Sequence, residues 1–397
     1  MLRRKINLIP RYHWDFGLQD FIWGISSILR HRLNGRQALH TIFGQYPILT
    51  SSGRTSLYVI LKALDLPKGA EVGVPLYCCP VVFDAIKRTG LTLRFIDVDP
   101  HSYTISPEDL ERKSKSLAAV IAVHMFGHPA DMDAILKVSG EQFPVIEDCA
   151  QSLYSWYKDR LTGSLGNAAF FSFRSAKYIS AGEGSVILSH DPGLTDEIRK
   201  VVDSLSEPSL TEEFIHCVTT LVKSTVNKRP WYGLLGYPIG QLLDNRVNLT
   251  AKTGFRYAKV KHSDVSIITK RIQGFVKDVE RQRENALYLL EKINSEKIIL
   301  PFEMRGCRSN YYLFAIRLHN THHRDFLSSF LTERGVDNSK YLHEVISIAS
   351  TTYGYTGDCP NAEMCSHTVL VIPHYYTLDQ YTLDFIAERL NESAAML

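Results

Sequence analysis

The seven residues LAAVIAV (117–123) are apolar without interruption. A strand with one wet face alternates apolar and polar residues, so a run with no polar face must be covered on both sides. That requirement points to a parallel sheet lying between helices. Shorter apolar runs recur around it: EVGVP (71–75), LTLRFIDV (91–98), PVIED (144–148), AAFFSF (168–173) and SVILS (185–189). Helical stretches alternate with them, including CPVVFDAIKRTG (79–90) and PADMDAILKVSG (129–140). Ser106-Pro107 followed by Glu108 and Asp109 reads as a helix start: a capping hydroxyl, a proline in the first turn, acids at the positive dipole end. From about 46 to 190 the chain is therefore expected to form an α/β domain with a parallel-rich sheet.

In such sheets ligands bind beyond the carboxyl ends of the strands. Asp148 and His124 each follow or end a predicted strand, so both are expected at one crevice. The apolar runs at 168–173 and 185–189 are joined by a loop carrying Lys177 and a Gly-Glu-Gly turn around Glu183, with Ser172 at its start. A lysine flanked by buried strands has a lowered pKa and serves as nucleophile and base. A lysine amine, a strand-end carboxylate and a hydroxyl near a helix start are what a pyridoxal phosphate (PLP) site requires. Lys177 would hold the aldehyde as a Schiff base, Asp148 would pair with the pyridine nitrogen, and Gln151 could bond the ring's phenolic oxygen. Glu147, one residue earlier, should point to the other face. Phosphate needs amides at a helix start plus hydroxyls. LTSSGRTSLYVILKAL (49–64) offers Gly53, Arg54 and Thr55 in a first turn, with Ser172 a further hydroxyl.

The rest of the composition narrows the class. At 397 residues the chain is long enough for two lobes, and a net charge of +3 does not argue for nucleic acid. No stretch of eighteen apolar residues occurs, and the basic N-terminus lacks a signal-peptide core. Seven scattered cysteines suggest reduced thiols in a cytoplasmic protein, and the adjacent Cys78-Cys79 matches no zinc spacing, so no metal is expected. Residues 1–45 form a separate segment, in which FGLQDFIWGISSILRHRL (16–33) has helical apolar spacing and a basic end. A helix packed on the core or a partner subunit is favoured there over one lying on a membrane. The α/β pattern breaks over 203–262, where the aromatic- and glycine-rich 227–245 suits a lid or interface better than a membrane-touching hairpin. The large domain is placed at 46–250. A smaller C-terminal α/β domain, 251–397, is expected to hold a long amphipathic helix (268–297), a strand (311–320), a helix ending at Gly335, and a final strand and helix.

Taken together, SSGRTSL (51–57), VHMFGHPADMDAI (123–135), VIEDCAQS (145–152), GSLGNAAFFSFRSAK (163–177) and AGEGS (181–185) resemble the DegT/DnrJ/EryC1/StrS family of sugar aminotransferases. The resemblance runs from about residue 46 to the C-terminus. It implies the type I PLP-dependent (aspartate aminotransferase) fold, with a large, mostly parallel mixed sheet and a smaller second domain. It implies that Lys177 binds the cofactor's aldehyde, Asp148 its ring nitrogen, Gln151 its ring oxygen and Ser172 its phosphate. Gly53-Arg54-Thr55 matches the family's phosphate turn. Related dehydratases carry histidine at the lysine position, so lysine favours transamination.

Three departures stand out. Arg54 occupies a position that is often threonine, and would pair with phosphate or face a partner subunit. Cys79 replaces the aromatic that stacks on the ring, leaving either Tyr77 or a sulfur to cover it. The segment that reaches the neighbouring subunit's site has only approximate matches, around Asn248 or His262-Ser263. His124, Glu183 and Asn248 are the expected substrate-side residues. The resemblance implies a homodimer with shared sites that transfers an amino group, from glutamate, to a nucleotide-linked keto-sugar for polysaccharide, glycan or glycosylated-metabolite synthesis. Alternatives are a non-nucleotide ketone substrate, cyclitol or lipid-linked, and a non-catalytic regulatory homologue.

Overall fold

The computed structural model describes residues 6–30, 36–45, 47–244 and 255–397. Its centre is a seven-stranded sheet: β1 (Ile48–Thr50), β2 (Glu71–Pro75), β3 (Thr92–Ile96), β4 (Leu117–Val123), β5 (Val145–Asp148), β6 (Ala168–Ser172) and β7 (Ser185–Ser189). The spatial order is β1-β7-β6-β5-β4-β2-β3. Strands β6, β5, β4, β2 and β3 are parallel neighbours, while β7 pairs antiparallel with both β6 and β1. The sheet is thus mixed but mostly parallel. Strand β4 coincides with the LAAVIAV run, and Val120 and Ile121 are fully buried although they face opposite sides. Burying each such side chain contributes about 1.5–3 kcal/mol, so the uninterrupted run is the stabilising feature of this interior strand.

Register brings the site together. Val123 of β4 lies beside Asp148 of β5, and Asp148 beside Phe170 of β6. The carboxyl ends of three parallel strands therefore converge.

Five helices matter below: α1 (Leu18–Arg30), α2 (Gly53–Ala63), α3 (Leu210–Val226), α4 (His262–Arg271) and α5 (Phe275–Lys292). The single long helix expected over 268–297 is two helices, separated at Gly274. The expected break in pattern over 203–262 contains the 17-residue α3, started by a Ser209–Glu212 capping box. A further run, Tyr232–Asp244, is also helical, opening as a π-helical turn. A three-stranded antiparallel sheet with Phe314–Leu318 at its centre has its own apolar core, built with α5 and the C-terminal helix Gln380–Met396.

The N-terminal strap, residues 6–16, ties the two regions. Ile9 pairs with Val336, and Arg11 forms a 2.7 Å ion pair with the buried Asp337, which also accepts from Tyr232. Ser224 of α3 donates to the carbonyls of Trp14 and Phe16.

Candidate active site

Lys177 stands in the loop between β6 and β7. That loop is held by its backbone: Phe173 N–H donates to Gly184, Ser175 N–H to Gly182 and Lys177 N–H to Arg174. Ala176 takes a positive φ of 68°, which turns the chain just before the lysine. The Lys177 amine has no hydrogen bond or ion pair among the described residues and lies 4.2 Å from the centre of the Tyr312 ring. Tyr312 is itself placed by a 3.0 Å bond from its hydroxyl to the Ala176 carbonyl. Burial lowers the amine's pKa to about 7; Arg174 adds to the effect, and Asp148 and Cys79 oppose it. The amine is thus largely neutral just above neutral pH.

Asp148 ends β5 and is buried. One carboxylate oxygen accepts the Ala150 N–H at 2.9 Å; the other has no hydrogen-bond partner among the described residues. Burial raises its pKa, against the pull of Ala150 N–H, Lys177 and His124. For both Lys177 and Asp148, burial outweighs mutual attraction, leaving two opposite groups short of partners.

The start of α2 supplies a third component. Ser52 caps the helix by accepting from Thr55 N–H, and the Gly53 and Arg54 amides in the first turn have no intrahelical partner. A Cβ on Gly53 would sit 3.3 Å from the Phe170 ring and 3.5 Å from Ser172 Cβ, so this turn lies against the end of β6. The Ser172 hydroxyl makes no hydrogen bond among the described residues. Open amides beside a free hydroxyl suit an anion such as a phosphate. The residues present fit PLP: an unpaired amine for its aldehyde, an unpaired carboxylate oxygen for its ring nitrogen, and an anion cradle for its phosphate.

Other expected residues are placed differently. His124 is fully buried; Nε2 bonds Glu147 at 3.0 Å and Nδ1 accepts from Ala130 N–H at 3.0 Å, leaving no ring nitrogen for a substrate. Glu147 does lie on the far side. Burial pushes its pKa up, but His124 and the Gly166 and Gly163 amides outweigh that and hold it low. Tyr77 is fully buried beside Tyr103 and Phe126, with its hydroxyl on the Tyr341 carbonyl, so it cannot stack on a ring in the crevice. Cys79 is half-buried at the start of the next helix and lies near Lys177. Arg54 turns away from the cradle, 3.6 Å from Asp84 and 4.3 Å from the Phe255 ring centre. The Thr55 hydroxyl is tied to Ser51 and Ser52. Glu183 pairs with Lys261 in the turn after Lys177. His262 and Ser263 both bond Glu213, away from Lys177. Asn248 lies outside the described residues.

Gln151 reaches toward the same region. Its Oε1 accepts the Phe126 N–H at 2.9 Å, and its Nε2 donates to the Tyr341 hydroxyl at 3.2 Å. Tyr341 and Tyr312 were not anticipated, since each comes from a distant segment with no local motif. The strap is marked in the sequence only by its basic residues. Its Arg11, Tyr12 and His13 line one cavity with Lys177, Tyr312 and Tyr375.

The sequence pattern of the DegT/DnrJ/EryC1/StrS aminotransferase family matches residues 37–391. The chain is 26% identical over 351 residues to GDP-perosamine synthase of Escherichia coli O157:H7, covering 88% of this chain and 85% of that one. Among solved structures it is similar to the aminotransferase TlmJ of Streptoalloteichus hindustanus, with a TM-score of 0.79, 20% identity, and coverage of 98% and 99%. It is also similar to a Streptococcus pneumoniae protein solved in PLP form as a sugar aminotransferase, with a TM-score of 0.76, 15% identity, and coverage of 98% and 99%. The fold, the lysine site and the match over most of its length make this chain a member of the DegT/DnrJ/EryC1/StrS family of PLP-dependent aminotransferases.

Proposed function

We propose that the protein transfers an amino group from glutamate to a nucleotide-linked keto-sugar, and that Lys177 carries the chemistry. The observation that carries this is the Lys177 amine: half-buried, unpaired, and lowered to a pKa of about 7. PLP, when bound, supplies an aldehyde carbon for amines to attack and a ring that takes up the electron pair freed at the substrate carbon. Lys177 holds that aldehyde between turnovers, and as a free base moves the proton at the substrate carbon. Asp148 keeps the ring nitrogen protonated, and Gln151, fixed by Phe126 and Tyr341, orients the ring oxygen. Gly53, Arg54 through its amide, and Ser172 hold the phosphate. The Cys79 sulfur is the side chain left to lie along the ring.

The sugar substrate is supported by family membership and by the similarity to GDP-perosamine synthase. A cytoplasmic setting is supported by the free cysteines. A homodimer with shared sites is supported by the resemblance of the motifs to those of the family. The test is incubation with nitrogen-labelled glutamate and a panel of GDP- and dTDP-linked keto-sugars and a free cyclitol ketone, followed by mass spectrometry. Label in a nucleotide sugar is expected. Label accepted only by a free cyclitol ketone would replace the substrate assignment, and no label in any ketone would remove the transaminase reading.

A further inference from the structure

Most of the large apolar side chains exposed among the described residues lie on three helical segments. On α1 they are Leu18, Ile22 and Leu29. On α3 they include Phe214 and Val222, eight residues apart. On the run after it, Trp231, Leu235 and Ile239 recur every fourth residue, which keeps them on one side of the helix. The segments are neighbours: α1 packs on α3, and α3 on the turn around Tyr232. The α1–α3 crossing is close, since a Cβ on Gly24 would come 3.0 Å from Cys217 Sγ. A clustered apolar surface of this kind marks a contact site.

Charge identifies the partner. Arg30 follows Leu29, Lys223 follows Val222, and Lys228-Arg229 precede Trp231; all four are exposed, and none is in an ion pair among the described residues. The one exposed acid described on these segments, Glu212, is already bonded to Arg256 and the Ser209 N–H. Asp20 is buried beneath Arg271. The rim of the apolar surface is therefore cationic. A two-fold pairing of this face with itself would bring like charges together. No described helix is long and apolar enough to cross a bilayer. Apolar stripes with a Trp, flanked by lysine and arginine, suit a helix lying in the headgroup layer.

We propose that α1, α3 and the Trp231–Ile239 run form a surface that docks on an anionic phospholipid bilayer. Leu18, Ile22, Phe214, Trp231 and Ile239 enter the headgroup boundary, while Lys223, Lys228 and Arg229 meet lipid phosphates. The strap, bonded to α3 through Ser224, continues from this surface to the Lys177 cavity.

The test is flotation of the PLP-loaded protein with vesicles of phosphatidylcholine alone or of phosphatidylcholine with phosphatidylglycerol. Two triple variants are compared: Phe214→Ser with Trp231→Ser and Ile239→Ser, and Lys223→Glu with Lys228→Glu and Arg229→Glu. All six positions are exposed, and circular dichroism with the visible cofactor band reports the fold independently. Wild type is expected to float with the anionic vesicles and to detach as salt rises. Both variants should lose partitioning, the charge variant by at least about a hundredfold, from about 1 kcal/mol per cation. Wild type that floats with neither vesicle overturns the proposal. So does partitioning that ignores lipid charge, or loss in only one of the two variants. A dimer in solution that the apolar triple variant splits to monomer would assign the face to a second copy instead.

Discussion

Asp148 is buried and Lys177 half-buried, each without a full complement of partners, and that sets their response to mutation. Replacing Asp148 with Ala should lower turnover by about two orders of magnitude, about 3 kcal/mol of barrier, because the pyridine nitrogen loses the carboxylate that would keep it protonated. Steady-state rates checked against retained cofactor absorbance would show it. The lysine also leaves a pH signature. In the folded chain its amine holds a proton only below about 7, against 10.5 when unfolded. Between those values the unfolded chain binds the extra proton, so cofactor-free protein gains stability as pH rises from about 7 to 10.5. Melting curves should show wild type gaining on Lys177→Met across that window; a constant gap would mean the amine is not buried as described. Lys177, Asp148 and Ser172 were legible in sequence because each sits at a strand end or in the loop between two strands. Tyr77, Arg54 and His124 were not, because where their side chains point is set by distant partners: the Tyr341 carbonyl, Asp84 and Glu147.

Elements carry the next level of control. The turn after Lys177 needs a glycine at 182, where φ is +100° and an added Cβ would fall 2.6 Å from His216 Nε2 and 2.8 Å from Thr220 Oγ1. Gly182→Ala should cost about 2 kcal/mol or more through strain and clash. Gly69→Ala, at φ +81° with nothing near its Cβ, should cost about 1–2 kcal/mol from backbone conformation alone. Chemical denaturation of the two variants compares them directly. The strap gives a kinetic prediction. Arg11→Gln leaves buried Asp337 without its cation, loosening the wall beside Lys177. It should raise KM for substrate about tenfold or more while kcat and the visible band change little; an unchanged KM would separate the strap from binding. Strand β4 was readable to the residue, because an unbroken apolar run has one solution. The Ser106-Pro107 start was equally clear, and Ser106 does cap the Asp109 amide. The 227–245 stretch was legible only as a loop or short helices; the short helices are what form there, and its outward apolar residues gave no burial pattern to decide between the two.

At the scale of the whole molecule, the smaller antiparallel layer has its own apolar core on one face and joins the large sheet's core through Ala315, Val369 and Val371 on the other, and the strap bridges the two at the cavity beside Lys177. The fold class was legible because alternating strands and helices recur from about residue 46 to 190. The inner wall of the site was not, because Tyr312 and Tyr341 reach Ala176 and Gln151 across 136 and 190 residues of chain, and no local pattern encodes such a meeting. The central claim is that Lys177 holds PLP and passes an amine from glutamate. The visible absorption spectrum of the purified protein, before and after L-glutamate, tests it most directly, with Lys177→Ala as control. A yellow wild-type protein that bleaches with glutamate, beside a variant lacking the lysine-bound band, is the predicted result. A protein that stays colourless after added PLP, or a Lys177→Ala variant with the same band and the same response, would contradict it.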